Sequence, residues 1–375
     1  MRQPEHIAIA GGGIIGLACA LVLQQQGRAV TVFEAGEAVR EASWAAGGML
    51  AAEDPENPTA LVPFSRYSRT LYPSFLDQIE TLSGHRVPLR THQTVQVLDS
   101  GRPIFAGVPL SHLEASRLVP SLAGSDREYL LLEEASLDPR ELCTALRAAV
   151  TVAGVALHEY EPVLSAKAEG ERVLITTTRR VFEADSFVNC CGAWAASLHA
   201  VAAVAPSKGQ MLVVTQPADS RLTRVLRSPD VYLIPRGQDS DDRARIIIGA
   251  TVENAGYSRE VDPAALSLLR RRAAALWPPV ANAPEVESWA GLRPGTADGL
   301  PIIGLIEHPD GSNHDEAPQF LAAGHHRNGI LLAPGTAHVI ADLVCGKTPA
   351  IDLAPFSPDR ASLSAACDKH FVAAL

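Results

Sequence analysis

The stretch Ile7–Glu34, IAIAGGGIIGLACALVLQQQGRAVTVFE, leaves the chain few folds to choose from. Ile7–Ala10 is an apolar run of strand type. It enters Gly11, Gly12 and Gly13, then Ile14, Ile15 and Gly16, so that Gly11, Gly13 and Gly16 form G-x-G-x-x-G. Leu17, Ala20, Leu21 and Leu23 recur at helical spacing, which predicts a helix over Ile15–Gln26 with Gly27 just past its end. Ala29–Phe33 reads as a second strand, closed by Glu34. Strand, glycines, helix, strand and acid in this order make a βαβ unit of the dinucleotide-binding kind, with the acid about 20 residues beyond the glycines.

Each part has a chemical reason. Gly11 permits the tight turn out of the strand, Gly13 lets a pyrophosphate approach the backbone, and Gly16 lets helix and strand pack closely. The helix N-terminus offers unpaired N–H groups and a partial positive charge to phosphates. Glu34 can accept hydrogen bonds from a ribose diol. A second glycine pair, Gly47 and Gly48, follows within EASWAAGGML, residues 41–50. Its small residues permit close approach of backbone to a ligand. An NAD enzyme has no particular need of this second cradle. An FAD enzyme does, because the ribityl chain and flavin extend beyond the pyrophosphate.

Composition narrows the classes further. A chain of 375 residues exceeds one typical domain, and 47% hydrophobic with 20% charged residues fits a soluble globular protein with a large core. A net charge of −10 argues against nucleic acid or an anionic membrane surface as partner. The most apolar run, Ile14–Leu23, is too short to span a bilayer. The first strand begins too early for a signal peptide to fit, so the cytoplasm is the expected location. The six cysteines include no C-x-x-C. A disulfide between the neighbours Cys190 and Cys191 would be strained, so buried thiols are expected there. The histidines form no metal-ligand cluster, and no metal is expected.

Further along, Thr59–Leu82 looks helical with interruptions around Pro63 and Pro73. Leu89–Asp99 alternates as a strand, and Leu110–Leu118 reads as a short helix. Ser136–Val152 is a helix opened by Asp138 and Pro139. Val155–Tyr160, Glu161–Lys167 and Val173–Thr178 read as strands, and Phe187–Cys191 as a buried strand running into Gly192. Lys208–Thr215, Val231–Pro235 and Arg245–Thr251 are strands, with a polar hairpin tip at Gln238–Asp242. Pro263–Leu276 is a helix, Glu307–Pro318 a surface loop and Gln319–Ala323 a strand. A last helix has Pro334 near its first position and Gly346 at its end. The βαβ signals sit at the start, middle and end, with strand-rich stretches between them. The expected fold class is therefore α/β with α+β. A Rossmann-like nucleotide domain (residues 1–85, 137–205 and 291–375) would be interleaved with a mixed-sheet substrate domain (residues 86–136 and 206–290).

With these residues in hand, the chain resembles the D-amino-acid oxidase superfamily of flavoproteins, and within it the glycine oxidases that feed thiazole synthesis for thiamine. The motifs that carry the resemblance are GGGIIG with Glu34, ASWAAGGML, SKGQML at 207–212, VYLIPR at 231–236, AGLRPGTADGLPIIG at 290–304 and GHHRNGILLAPGTAHVIADL at 324–343. They span nearly the whole chain. The resemblance implies noncovalent FAD. Ile14, Ile15, Glu34, Ala35, Ala42, Ser43, Gly47, Gly48 and Met49 would line its adenosine, phosphate and ribityl parts. Val163 would touch the adenine through its backbone, and Gly192 would approach the cofactor. His325, His326, Arg327, Asn328, Gly329, Ile330 and Leu331 would surround the pyrimidine side of the flavin.

The resemblance also implies a reaction. Arg293 would anchor a substrate carboxylate with help from Tyr232, while Arg327 would hold the lid of the site or pair with a carboxylate elsewhere. No side chain would act as acid or base. A small amino acid or amine would lose hydride to the flavin, the imine would hydrolyse to a 2-oxo acid and ammonia, and O2 would be reduced to H2O2. Sarcosine or D-amino-acid oxidation, with O2 or another acceptor, is the alternative within the superfamily. An FAD-binding partner protein without turnover is the distant one. Oligomers are common among such enzymes. Three positions depart from the glycine oxidases: His326 stands where an aromatic is usual, Val252 where a Met can line the pocket, and Asp230 where a His can occur. They bear on the substrate more than on the reaction.

Overall fold

In the strand His6–Ala10 every residue after His6 is buried, because both faces of the strand are covered. Ile7 and Ile9 pack into a helical layer, while Ala8 and Ala10 pack with Val173 and Ile175 of a three-stranded antiparallel sheet. That double burial explains the unbroken apolar run at the start of the chain. The computed structural model describes residues 4–98, 104–122, 124–238, 243–307 and 316–360. His6–Ala10 lies inside a six-stranded sheet, in the order Ile302–Leu305, Gln319–Ala323, Ser186–Asn189, His6–Ala10, Ala29–Phe33, Ala156–His158. All its pairings are parallel except that of the edge strand Ile302–Leu305.

The helices are α1 (Ile14–Gln25), α2 (Val62–Ser83), α3 (His112–Leu118), α4 (Pro139–Val152), α5 (Pro263–Leu276) and α6 (Gly329–Val344). Helices α1, α2, α4 and α6 form the layer on Ile7 and Ile9. In α1 every residue from Ile14 to Leu23 is buried, which is why its apolar stripe is barely distinguishable from its other side. Helix α4 begins as expected, with Asp138 capping the Arg140 N–H at 2.9 Å and Pro139 in the first turn.

Two proline expectations need correction. Helix α2 is continuous: Pro63 sits in its first turn, and Pro73 lies inside it without ending it. Helix α6 starts at Gly329, so Pro334 is interior rather than near the first position. A proline there lacks the N–H that would serve the Ile330 carbonyl. Helix α2 makes good the loss. The Tyr72 hydroxyl donates to the Ile330 carbonyl, and the Ser68 hydroxyl donates to the Leu331 carbonyl at 2.7 Å while accepting from the Gly335 N–H at 2.9 Å. Side chains of one helix thus mend the ladder of the next.

A larger, eight-stranded sheet runs Glu285–Gly295, Ala205–Thr215, Ala244–Gly249, Tyr232–Gln238, Val225–Arg227, Thr94–Val97, Tyr129–Leu132, Val108–Leu110. It is antiparallel apart from the pairing of Val225–Arg227 with Thr94–Val97. Alternation sorts its residues. Leu212, Val214, Leu233, Ile246 and Ile248 pack with Leu269, Ala273 and Leu276 of α5, whereas Met211, Val213, Tyr232, Ile234 and Ile247 cluster on the opposite face.

The expected strand Leu89–Asp99 divides at His92 and Gln93: Leu89–Thr91 pairs with Ser136–Leu137, and only Thr94–Val97 joins the large sheet. Three short strands, Val108–Leu110, Val181–Ala184 and Val225–Arg227, carried no readable alternation. The strands Ala205–Thr215 and Glu285–Gly295 run across the expected domain limits at 205/206 and 290/291. The hairpin tip beyond Gln238 and most of the 307–318 loop fall outside the described residues. Cys190 and Cys191 are free thiols. Among the described residues no helix is long and apolar enough to cross a membrane.

Candidate active site

The parallel strands His6–Ala10, Ala29–Phe33, Ser186–Asn189 and Gln319–Ala323 end on one side, and the residues just past their C-terminal ends open one long cavity. Ligand clefts of open α/β sheets form at this edge. At the first strand end, a side chain at Gly11 would meet the Cys190 carbonyl at 2.3 Å, and one at Gly16 would meet the Gly11 carbonyl at 1.9 Å. These two glycines are therefore fixed by packing. Gly13 differs: its nearest neighbour would be the Ser43 hydroxyl at 3.5 Å, and it forms cavity wall. Ser43 accepts from the Ile14 N–H at 2.9 Å in the first turn of α1. The Glu34 carboxylate is anchored by the N–H groups of Gly12 (2.7 Å) and Gly36 (2.9 Å) and still reaches the cavity. Cys191 lies in the same wall, its thiol pushed up to about 12 by burial and then by the charge of Glu34.

The far end belongs to the large sheet. Ser207 pairs with Arg293, and Gly209 lies two residues on along the same face. A side chain at Gly209 would meet the Arg293 guanidinium at 2.2–2.4 Å, so the arginine lies across the glycine. Arg293 Nη1 donates to the carbonyl of Thr251 at 3.1 Å and that of Lys208 at 3.5 Å. Burial holds its pKa below the ordinary value. Tyr232 is seated over Gly249, where a side chain would meet its ring at 2.3 Å. Burial raises the Tyr232 phenol, which stays protonated and able to donate. Gly209 and Gly249 make room for the two expected ligand-binding side chains, yet nothing in their sequence setting marks them for that task.

The third wall is the segment entering α6. His325 is buried, shares a 2.9 Å hydrogen bond with the Thr336 hydroxyl, and is pushed down to about 3 by burial. His326 is pushed down to about 4 by burial, then by the charges of Arg293 and Arg327. Both rings are neutral at ordinary pH. Arg327 pairs with a carboxylate, its Nη2 lying 2.7 Å from Asp54. Behind it runs a chain of charge that sequence reading missed. Asp54 is 3.5 Å from Arg227, and Arg227 is 3.0 Å from Glu134. Burial pushes Glu134 up, while Arg227 and Arg327 outweigh burial and hold Asp54 down.

The cavity gathers Gly11, Gly13, Ile14, Ile15, Glu34, Ala42, Ser43, Gly47, Gly48, Met49, Gly192, Tyr232, Arg293 and the run His325–Ile330. Gly16, Ala35, Val163 and Leu331 are not among its lining residues. Gly16 is packed against Gly11, Ala35 is exposed beyond Glu34, Val163 opens a strand of the three-stranded sheet, and Leu331 is buried within α6. Asp230 and Val252 do line it.

The donor set fits FAD. A bare glycine turn at a helix N-terminus suits a pyrophosphate, an anchored carboxylate suits a ribose diol, and the small residues Ala42, Ser43, Ala45, Ala46, Gly47 and Gly48 line the cavity between them and Arg293. The family described as FAD dependent oxidoreductase (DAO) matches residues 6–343. The chain is 34% identical to a glycine oxidase of Geobacillus kaustophilus over 96% of this chain and 98% of that one. The crystal structure of glycine oxidase from that organism superposes with a TM-score of 0.84, covering 96% of this chain and 99% of that one at 33% identity. A bifunctional protein ThiO/ThiG of Synechocystis is 33% identical over 96% of this chain, which spans 54% of that protein. With the fold, the nucleotide cradle and these matches in agreement, the chain belongs to the D-amino-acid oxidase (DAO) family of FAD-dependent oxidoreductases.

Proposed function

We propose that this enzyme oxidises glycine or another small amino acid or amine, with FAD held noncovalently and O2 as acceptor. Residues 86–136 and 206–290 would bring Tyr232 to the substrate side, where Arg293 and Arg327 join it from the remainder of the chain, which would also hold the nucleotide. The observation that carries the reading is Arg293: a guanidinium facing the cavity that meets carbonyl oxygens and the Tyr232 hydroxyl but, among the described residues, forms no ion pair with a carboxylate. A substrate carboxylate supplies the missing counter-ion, in a bidentate pair if both guanidinium nitrogens engage. The Tyr232 hydroxyl stands beside it as a second donor. When bound, FAD supplies the hydride acceptor for the substrate Cα–H and passes the electrons to O2.

The protein's part is positioning and electrostatics. The positive charge of Arg293 favours the neutral form of a nearby amine, the form that can lose hydride. Neutral His325 and His326 add no charge and are too weakly basic to take a proton at ordinary pH. The imine released hydrolyses to a 2-oxo acid and ammonia, and H2O2 is the second product. Cys190 and Cys191, both held protonated, support noncovalent binding. The likeness to the ThiO/ThiG protein supports a role in making the thiamine thiazole.

Val252 favours a second reading. It lines the cavity while 75% exposed, and so offers apolar contact at the mouth to a methyl group such as that of sarcosine or D-alanine. Anaerobic mixing with glycine, watching the flavin band near ~450 nm, decides between them. Bleaching by glycine, followed by H2O2 on admitting air, is the expected result. Bleaching only by sarcosine or D-alanine moves the substrate, and peroxide-free turnover with a dye moves the acceptor.

A further inference from the structure

Four arginines line the cavity: Arg40, Arg227, Arg293 and Arg327. Three of them have carboxylate partners. Arg40 lies 3.0 Å from Glu37, Arg227 is shared between Asp54 and Glu134, and Arg327 lies 2.7 Å from Asp54. Among the described residues Arg293 alone of these four has no carboxylate in ion-pair contact, its partners being two carbonyls and the Tyr232 hydroxyl. Asp54 is thus the hinge of the charge balance. It is 5% exposed, pairs with both Arg227 and Arg327, and itself lines the cavity. Glu56 and Asp230 line the cavity as well, and add negative charge to its wall.

An α-amino acid with a neutral side chain brings one carboxylate, which Arg293 can match. A dicarboxylic ligand brings two. Its second carboxylate would find Arg327 already claimed and would lie near Asp54, a like charge in a partly desolvated place. We propose that Asp54 is a specificity-determining residue: by pairing with Arg327 it leaves the cavity one unmatched cation, and so restricts substrates to those with a single carboxylate. This rests on the reading of Arg293 as the carboxylate anchor. It adds which amines that anchor serves.

The test uses the flavin-loaded enzyme and two unreactive probes, acetate and malonate, whose binding is read from the perturbed flavin spectrum. In Asp54→Asn, malonate affinity relative to acetate should rise roughly fivefold or more, the modest size reflecting the part-exposed Arg327. Iminodiacetate turnover relative to sarcosine should rise in parallel. Binding of acetate with an unmoved malonate ratio overturns this proposal alone. Failure of acetate to bind, together with no oxidation of glycine, sarcosine or D-alanine, removes the carboxylate anchor and this proposal with it. If Asp54→Asn does not hold flavin, Arg327→Gln serves instead. It leaves Asp54 with Arg227 only, and the malonate-to-acetate affinity ratio should fall severalfold below wild type; an unchanged ratio is again fatal.

Discussion

Arg293 has carbonyl oxygens for partners and an aromatic hydroxyl for a neighbour, so its charge is available to a ligand. Arg293→Ala should lower kcat/KM for the preferred amino acid by about 100-fold or more, from the loss of charge-assisted hydrogen bonds. Most of the loss should appear in KM, with the flavin spectrum of the free enzyme unchanged. His325 makes a different prediction. Its folded pKa of about 3 lies below the ordinary 6.5. As pH falls below ~6.5 the unfolded chain takes up a proton that the folded chain refuses, so stability falls, by at most about 1.4 kcal/mol per pH unit from this group. Urea unfolding at neutral and mildly acid pH should show a smaller acid loss in His325→Asn than in the wild type; equal losses would place the effect elsewhere. At this scale the sequence motifs pointed to Gly13, Glu34 and Arg293, which the fold brings to one cavity. It was silent on Asp54, Arg227 and Glu134, whose meaning comes from partners far away in the chain.

Among the elements, α1 could be anticipated because its spacing, its glycines and its place between two strands agreed. The α2–α6 pair could not. Pro73 read as an interruption and Pro334 as the start of a helix, since a proline removes an N–H and crowds the preceding turn. What sequence spacing hides is that Tyr72 and Ser68 reach across from α2 to the carbonyls of Ile330 and Leu331. Tyr72→Phe should therefore destabilise the fold by about 1–3 kcal/mol, the penalty of a buried carbonyl left unpaired. In a Pro334→Ala background, where an N–H returns to serve that carbonyl, the same change should cost less. Thermal or denaturant unfolding of the four proteins in the cycle measures the difference; strictly additive effects would show that the hydroxyl and the proline are unrelated.

Across the whole molecule, the cavity exists only because the nucleotide unit and the large sheet are stitched together. Arg236, on the strand Tyr232–Gln238, donates to the Gly47 carbonyl at 2.5 Å and to the Leu137 carbonyl, and lies 3.7 Å from Asp138. Burial pulls it down to about 10. The Trp289 indole donates to the Ala45 carbonyl at 3.1 Å. Arg236→Met should release the 42–48 segment and weaken FAD binding by roughly tenfold, given two buried carbonyls left unpaired, with far-UV circular dichroism unchanged. Flavin fluorescence on dilution reports the release; retention equal to wild type would mean that the segment stands without this tie. The interleaving of strand-rich and βαβ segments could be read along the chain. The order of the eight strands could not, because Val108–Leu110 and Val225–Arg227 are too short to show a period, and Val225–Arg227 also pairs with Thr94–Val97, far away in the chain.

The close approach of Gly209 to Arg293 has a consequence for heredity. The arginine can be lost without being mutated: a single methyl at Gly209 would occupy the volume of its guanidinium. The two codons are then bound by epistasis. A saturation screen would score Gly209 as intolerant with no chemistry of its own to explain it, and a lineage that drifted at this glycine would forfeit its hold on the carboxylate while still displaying the arginine that is supposed to provide it.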